Sequence, residues 1–385
     1  MHANIKYDLT NWVDGMKIHK DHFLNSENAL MDAIRDTQAS MLTHFNFGLL
    51  PPAPGERSSL EYNIVKAQSD NYVITLTLCR AITAGGTRIE IGTSLDKGLT
   101  ATSRFEQWAG GKKEFDYYYA VVTVNPFERV PYGEPSPSET PARHPFTRPF
   151  YGLDIISGED LTAEAFGMYH FPVARFKRKG NEIIPDETWF PPSINIFSHP
   201  GMIALCKEIG SNLNRVQDYS NSIIRKVVAK SQNTALAQNV KKLSEINVQY
   251  ISGIFFSFRT ILPHQPPVFL LNAMLNLANT VKVSLDFMVE KEKEDLLQYF
   301  KEWTELTPTH FIELLANAIE TEYDHYAISD SYHPVITFLH KWASLFEQLN
   351  ELELIGKRKD KDFIIRERVM GDHKNEKKKG FNFLE

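Results

Sequence analysis

Cysteine is almost missing from this sequence. Its 385 residues contain two, Cys79 and Cys206, one in a strand-like run and one on an apolar helix stripe, which fits buried free thiols better than a disulfide. Long apolar runs are missing as well: no stretch approaches the uninterrupted length that crossing a bilayer needs. The N-terminus, MHANIKYDLT, lacks the basic-then-apolar order of a signal peptide. The chain therefore reads as cytoplasmic, with no direct membrane insertion. A dominant charge of one sign is the third absence. The formal net charge is −6, so no global basic field exists to hold nucleic acid or an anionic membrane.

The common frames of catalysis are absent too. The run Gly110-Gly111-Lys112-Lys113 lacks the upstream glycine of a phosphate-cradling loop, and no strand is followed by G-x-G-x-x-G. Gly85-Gly86 precedes strand-like residues and reads as a hairpin turn. No G-x-S-x-G supplies a nucleophile elbow, and neither cysteine sits in a reactive motif. His19 and His22 stand one helical turn apart with Asp21 between them, but nothing completes a metal-ligand set. Within ETEYDHY, residues 320–326, Glu322 and His325 would share a helix face; a solvated helix end with its tyrosines packed inward explains that run more simply than a carboxylate–histidine site. The expectation is a protein that is not an enzyme, without metal or cofactor. A carbohydrate-acting enzyme on a β-sandwich stays open as a lesser reading, because paired carboxylates can be assembled by folding alone.

What the sequence has is core material: 42% hydrophobic and 12% aromatic residues, enough for two or three packed domains. Asp21 can cap a helix whose apolar positions Phe23, Leu30, Ile34, Met41 and Phe45 recur at helical spacing, before Gly48 and Pro51-Pro52 stop it. From Tyr62 the period changes. EYNIVKA, NYVITLTLCRAI, TRIEIG and YYYAVVTV are strand-like, and FPVARFKRKGNEII reads as a hairpin over Lys179-Gly180. Between them, residues 125–150 are rich in proline and predict a long surface excursion. The basis is laid for an α+β protein: residues 1–198 form a β-sandwich shell with one N-terminal helix, 199–354 a helical bundle, and 355–385 a tail in which basic residues outnumber acidic ones.

In the helical half, Met202, Ile209, Val216 and Ile223 are spaced by seven, as are Cys206, Leu213, Ser220 and Val227. That is a coiled-coil seam, with a phase slip near AKSQNT. It serves either an intrachain helix hairpin or self-association, and both can hold together. Leu270, Met274, Leu277, Val281, Leu285 and Met288 rebuild a stripe after Pro263, Pro266 and Pro267. Thr307-Pro308 is a helix start, and Val335, Phe338, Trp342, Leu345 and Leu349 form the last stripe.

The opening stretch NWVDGMKIHKDHF, residues 11–23, combines Trp12, Asp14, Gly15, Met16, His22 and Phe23. This W-x-D-G-M…H-F arrangement resembles the N-terminal signature of the TssK family, the trimeric baseplate subunit of bacterial type VI secretion systems, which typically reads W-x-E-G-M-x-L-x-P-Q-H-F. Asp14 stands for the glutamate, and Lys20-Asp21 for Pro-Gln. FPVAR at 171–175 and WFPPSINI at 189–196 look like the family's I-A-R…F-I-P-P at its shell-to-neck junction.

The resemblance covers about residues 8–350. It implies a shell like the shoulder of phage receptor-binding proteins, a trimerising helical neck, and a divergent, Bacteroidetes-like member with little of the family's C-terminal head domain. It further implies a non-enzymatic homotrimer linking wedge proteins resembling TssF and TssG to a membrane-anchor complex, in the cytoplasm at the inner-membrane-proximal baseplate. The opening residues would then meet the wedge, and Met202, Ile209, Leu213, Val216, Ile223 and Val227 would hold the trimer or the bundle. The same Trp12, Met16 and Phe23 can instead seal the shell's own core. A phage-tail or contractile-injection adhesion component of related fold is the alternative to the secretion reading.

Overall fold

The computed structural model describes residues 4–67, 71–92, 98–104, 117–158, 167–179, 182–304 and 306–358. Strands fill the first half and helices the second, an α+β arrangement. The chain separates into two compact units, one made of residues 1–207, 256–272 and 322–333, the other of 208–255, 273–321 and the segment from Pro334 on. The sequence boundary at 198 lies near the first break. The two short segments that return to the first unit have no mark in the sequence.

In the first unit, helix α1 (Lys20–Met41) precedes two antiparallel sheets. One is centred on β3 (Asn71–Ile82), which pairs with β1 (Gly48–Leu49), β2 (Leu60–Lys66), β4 (Arg88–Ile91) and β5 (Leu99–Arg104). The other runs β7 (Phe146–Ser157), β6 (Tyr117–Tyr132), β8 (His170–Lys179) and β9 (Glu182–Pro185). Their inner faces share one core, with Ile74, Leu76, Cys79 and Ile89 from the first sheet meeting Ala120, Val122, Phe171 and Phe176 from the second. Along β3 the inward residues are Tyr72, Ile74 and Leu76, then Cys79 and Ala81. Parity flips because Thr77 is an extra residue in the pairing with β2, where Glu61 faces Leu78 and Tyr62 faces Leu76; one inserted residue moves every later side chain to the other face. Cys79 is a fully buried free thiol and Cys206 a half-buried one. The Gly85-Gly86 turn is present, with Thr83 N–H donating to the Thr87 carbonyl at 2.9 Å.

Residues 125–150 correct the expectation of a long excursion. β6 continues to Tyr132 and β7 begins at Phe146, paired through Arg129↔Pro149 and Pro131↔Thr147 after a break in register between Asn125 and Arg129. Prolines are tolerated there because a two-stranded ribbon leaves one side of each strand without ladder partners. Only 133–145 remain as the connection.

The helical half comprises α2 (Pro200–Ala229), α3 (Ala235–Thr260), α4 (Pro267–Asp286), α5 (Glu290–Trp303), α6 (Pro308–Ile319) and α7 (Ile328–Glu351). The phase slip near AKSQNT is the turn between α2 and α3. Thr307 caps α6, its hydroxyl accepting the His310 N–H at 3.3 Å, with Pro308 at the first helical position. Among the described residues α4 is long and apolar enough to cross a membrane, yet its Leu270, Met274, Leu277, Val281 and Leu285 are buried within the protein. In the second unit Trp342 sits among Phe311, Phe338 and Phe346, with ring centroids 4.8–5.9 Å apart. Its indole N–H donates to Asn247 Oδ1 at 3.1 Å, and Asn247 Nδ2 donates to Ser220 Oγ at 3.2 Å. Three buried polar side chains are thereby satisfied at one level of the core.

The Gly110–Lys113 run, the Gly180 turn and the tail beyond Arg358 lie outside the described residues.

Candidate functional site: an exposed N-terminal arm and helix

Residues 4–19 run as an extended arm into α1. Gly15, at φ +80°, makes a tight turn in which Met16 N–H donates to the Val13 carbonyl at 3.2 Å; a side chain at that φ is strained, so glycine fits. The turn leaves Trp12 49% exposed, with Asp14 and Gly15 also exposed and Met16 half-buried. The Trp12 ring reaches His22 at 6.0 Å and Phe23 at 6.1 Å, and Phe23 is itself exposed. His22 Nδ1 accepts the His19 N–H at 3.0 Å, closing the start of α1, while Asp21 lies in the first turn and His19 holds the cap position. Among the described residues no group of His, Cys, Asp and Glu is arranged to hold a metal ion.

α1 overturns the sequence pattern. Phe23, Leu30, Ile34 and Met41, the expected inward stripe, are among the exposed large apolar residues of the protein. The buried face carries Ala29, Asp32, Arg35 and Ala39 instead. Two facts explain the reversal. Asp32 accepts the N–H groups of Lys6 and, at 3.1 Å, Tyr7, together with Arg35 Nε at 2.9 Å, so a buried carboxylate is fully bonded. Burial by itself raises the Asp32 pKa; the Lys6 and Tyr7 amides and the Arg35 guanidinium outweigh it and hold it below the ordinary value. Second, small residues let the helix backbone close on the β3–β4 turn: a Cβ on Gly86 would stand 2.9 Å from the Arg35 carbonyl oxygen and 3.0 Å from the Ala39 nitrogen. The arm is held from its other side by Tyr7, whose ring lies 4.6 Å from Phe127 at the break in β6. The signal for this anchor is present in the sequence only as Asp32 and Arg35 one turn apart, opposite the apolar stripe.

The second motif builds a polar junction within the same unit. Arg175 of FPVAR is 4% exposed; its Nε donates to Asp186 at 2.8 Å, and its two terminal nitrogens to Asp330, in the first turn of α7, at 2.6 and 3.1 Å. Trp189 of WFPPSINI donates its indole N–H to the Tyr326 carbonyl at 2.9 Å. The Pro192 carbonyl accepts Leu49 N–H at 2.7 Å, and a Cβ on Gly48 would lie 2.2 Å from that carbonyl oxygen. Glu322 and His325 lie between α6 and α7 and share no helix face. His325 is buried: Nε2 donates to the Phe47 carbonyl at 2.8 Å and Nδ1 accepts from Tyr323 at 2.7 Å. Burial pushes its pKa down to about 4, so the ring is neutral and acts as a strut.

The predicted seam faces inward. Met202, Ile209, Leu213, Val216, Ile223 and Val227 are at most 3% exposed, which leaves no free apolar area there for another chain. A cavity of about 770 Å³ lies in the second unit beside Gln232, Asn239, Glu292, Asp295, Ile355 and Arg358. Its carboxylates Glu292 and Asp295 accept from Asn239 at 3.1 Å and Arg358 at 2.7 Å.

A shell of two sheets with a docked N-terminal helix, followed by a helical half, defines a structural class. No protein-family model and no curated protein matches the sequence. Solved structures do. A crystal structure of TssK aligns over 86% of this chain and 68% of its own, with 14% identity and a TM-score of 0.52. A baseplate complex of the type VI secretion system aligns over 88% and 99%, with 14% identity and a TM-score of 0.51. A TssK–TssF–TssG baseplate subcomplex aligns over 88% and 99%, with 13% identity and a TM-score of 0.48. This chain has the TssK fold.

Proposed function

We propose that this protein is a structural subunit of a type VI secretion baseplate, a homotrimeric adaptor that holds wedge proteins resembling TssF and TssG and joins them to a membrane anchor. Binding is its mechanism, and its place is the cytoplasmic side of the inner membrane. The observation that carries the reading is the TssK fold over 86–88% of the chain. The exposed opening motif supports it: Trp12 and Phe23 present aromatic area next to a glycine turn, with Met16 half-buried beside them, the residue types that dominate interface energetics. In this proposal Trp12, Asp14, Gly15, Met16, His22 and Phe23 form the wedge contact.

Capture of TssF-like and TssG-like proteins from the same cell tests the proposal. Trp12→Ala with Met16→Ala is expected to lower capture roughly 10-fold or more while leaving the unfolding midpoint nearly unchanged, because Trp12 is 49% exposed and its ring lies beside His22 and the exposed Phe23. No capture by the unaltered protein would refute the adaptor role. Full capture by the double variant would move the wedge contact elsewhere.

A further inference from the structure

The arm that carries the opening motif owes little of its docking to apolar burial. Apart from Tyr7, whose ring meets Phe127, its apolar side chains Ile5, Leu9, Val13 and Ile18 are each at least 58% exposed, so the hydrophobic effect gives it only a weak hold. Polar bonds fix it instead. The Lys6 and Tyr7 amides donate to the Asp32 carboxylate, and the Thr10 hydroxyl donates to the His22 carbonyl at 3.2 Å. As the arm advances from residue 6 to residue 10, its contacts on α1 step back from Asp32 to His22, so it lies as a strap antiparallel to the helix. From Asp32 back to His22 the helix rises about 15 Å, and the extended steps from Lys6 to Thr10 cover about 13 Å. The strap is drawn nearly straight between its two fixings.

Asp32 is built to be the fixed end. It is 1% exposed, and Arg35 Nε donates at 2.9 Å to the carboxylate oxygen that the amides do not use, which keeps the other oxygen turned to the arm. A charged acceptor makes each amide bond stronger than a neutral one would. The bonds engage backbone alone and leave the arm's side chains free to face outward. Trp12, Asp14, Gly15 and Met16 lie in the loop between this fixing and the start of α1 at Lys20. With the fixing closed the motif is held from both ends; with it open, the Thr10 bond and α1 remain. We propose that Asp32 is a positioning residue for the opening motif: buried where no partner can touch it, its carboxylate latches the arm and sets where Trp12 and Met16 stand before a partner arrives. A motif ordered in advance binds more tightly than one that must be ordered on contact. The inference rests on the wedge contact proposed above for what the motif binds, and the latch itself does not depend on that reading.

Hydrogen exchange and capture together are the measurement. Asp32→Leu with Arg35→Met replaces the buried pair by apolar groups, which removes the acceptor without stranding a charge. Peptides spanning residues 4–16 are expected to exchange roughly 10-fold or more faster in this variant. Its capture of TssF-like and TssG-like proteins should fall roughly 10-fold or more, with the unfolding midpoint nearly unchanged. Lys6→Pro reaches the same bonds from the other side, deleting one donated N–H at an exposed residue while Asp32 and Arg35 stay in place. It should free the arm and weaken capture alike, whereas Lys6→Ala keeps the amide and should hold the arm as the unaltered chain does; a merely structural role for Asp32 would not separate the two. A freed arm with full capture overturns the positioning role and leaves the adaptor reading intact. An arm that exchanges as slowly in the double variant and in Lys6→Pro as in the unaltered protein overturns the latch. No capture by the unaltered protein refutes the wedge contact, and with it the role of the latch in binding.

Discussion

At the scale of single residues, Arg175 does the work of several contacts. It bonds a carboxylate that is itself buried, Asp186, and a second one on a helix far along the chain, Asp330, and its guanidinium lies 4.4 Å from the Tyr117 ring centroid. Charges taken out of water are tolerated only when fully paired, and removing one partner leaves the other uncompensated. Arg175→Met is therefore expected to cost about 3–5 kcal/mol in urea unfolding, and adding Asp186→Asn should recover part of the loss. An unchanged midpoint for the single variant would contradict the pairing. The FPVAR match marked Arg175 in the sequence. Its partner Asp330, 155 positions away, was not legible, because nothing local ties a strand residue to a helix start at such a distance. His325 is similar: its polar neighbours suggested a solvated end, but the bonds that let it be buried come from Tyr323 and from Phe47.

At the scale of elements, two helices with comparable apolar periods meet opposite fates. The stripe of α2 is buried and that of α1 is exposed, although each shows a four-three alternation. Period identifies a helix and the face that wants a partner, but not whether the partner belongs to the same chain. The two are distinguishable by what charge does to them. Ile209→Asp with Ile223→Asp places two carboxylates at positions with no exposure, where burial of an unpaired charge costs several kcal/mol, so the helical signal and the unfolding midpoint should both fall sharply. A folded double variant of normal stability would mean that α2 is not packed as described. The ribbon of β6 and β7 teaches the converse: proline content argued against pairing, yet pairing persists because each ribbon strand needs only one hydrogen-bonding edge.

At the scale of the whole molecule, stability should depend on pH through the buried His325 and the half-buried His199. Burial depresses both His199 and His325 to about 4, from an ordinary 6.5. The unfolded chain then binds these protons at higher pH than the folded one does, so stability is full above about 6.5, is lost as pH falls toward 4, and changes little more from this source below that. Each is worth at most on the order of 3 kcal/mol. Unfolding midpoints measured across that window should fall with pH, and less so for His325→Gln, which cannot titrate; a flat profile for the unaltered protein would contradict the shielding of both rings from water. By itself the sequence determined the change from a strand-rich first half to a helical second half, the helix start at Thr307-Pro308 and the hairpin at Gly85-Gly86, because those follow from periods, caps and turns that are written within a few residues. It also carried the motifs whose fold the solved TssK structures share. Only the tertiary structure decided which side of α1 faces the shell, that 256–272 and 322–333 join the first unit, and where Arg175 and His325 find their partners. Those outcomes depend on hydrogen bonds and close backbone approaches between segments distant in sequence, and a buried Asp32 outweighs an apolar stripe only when the amides of Lys6 and Tyr7 are there to receive it.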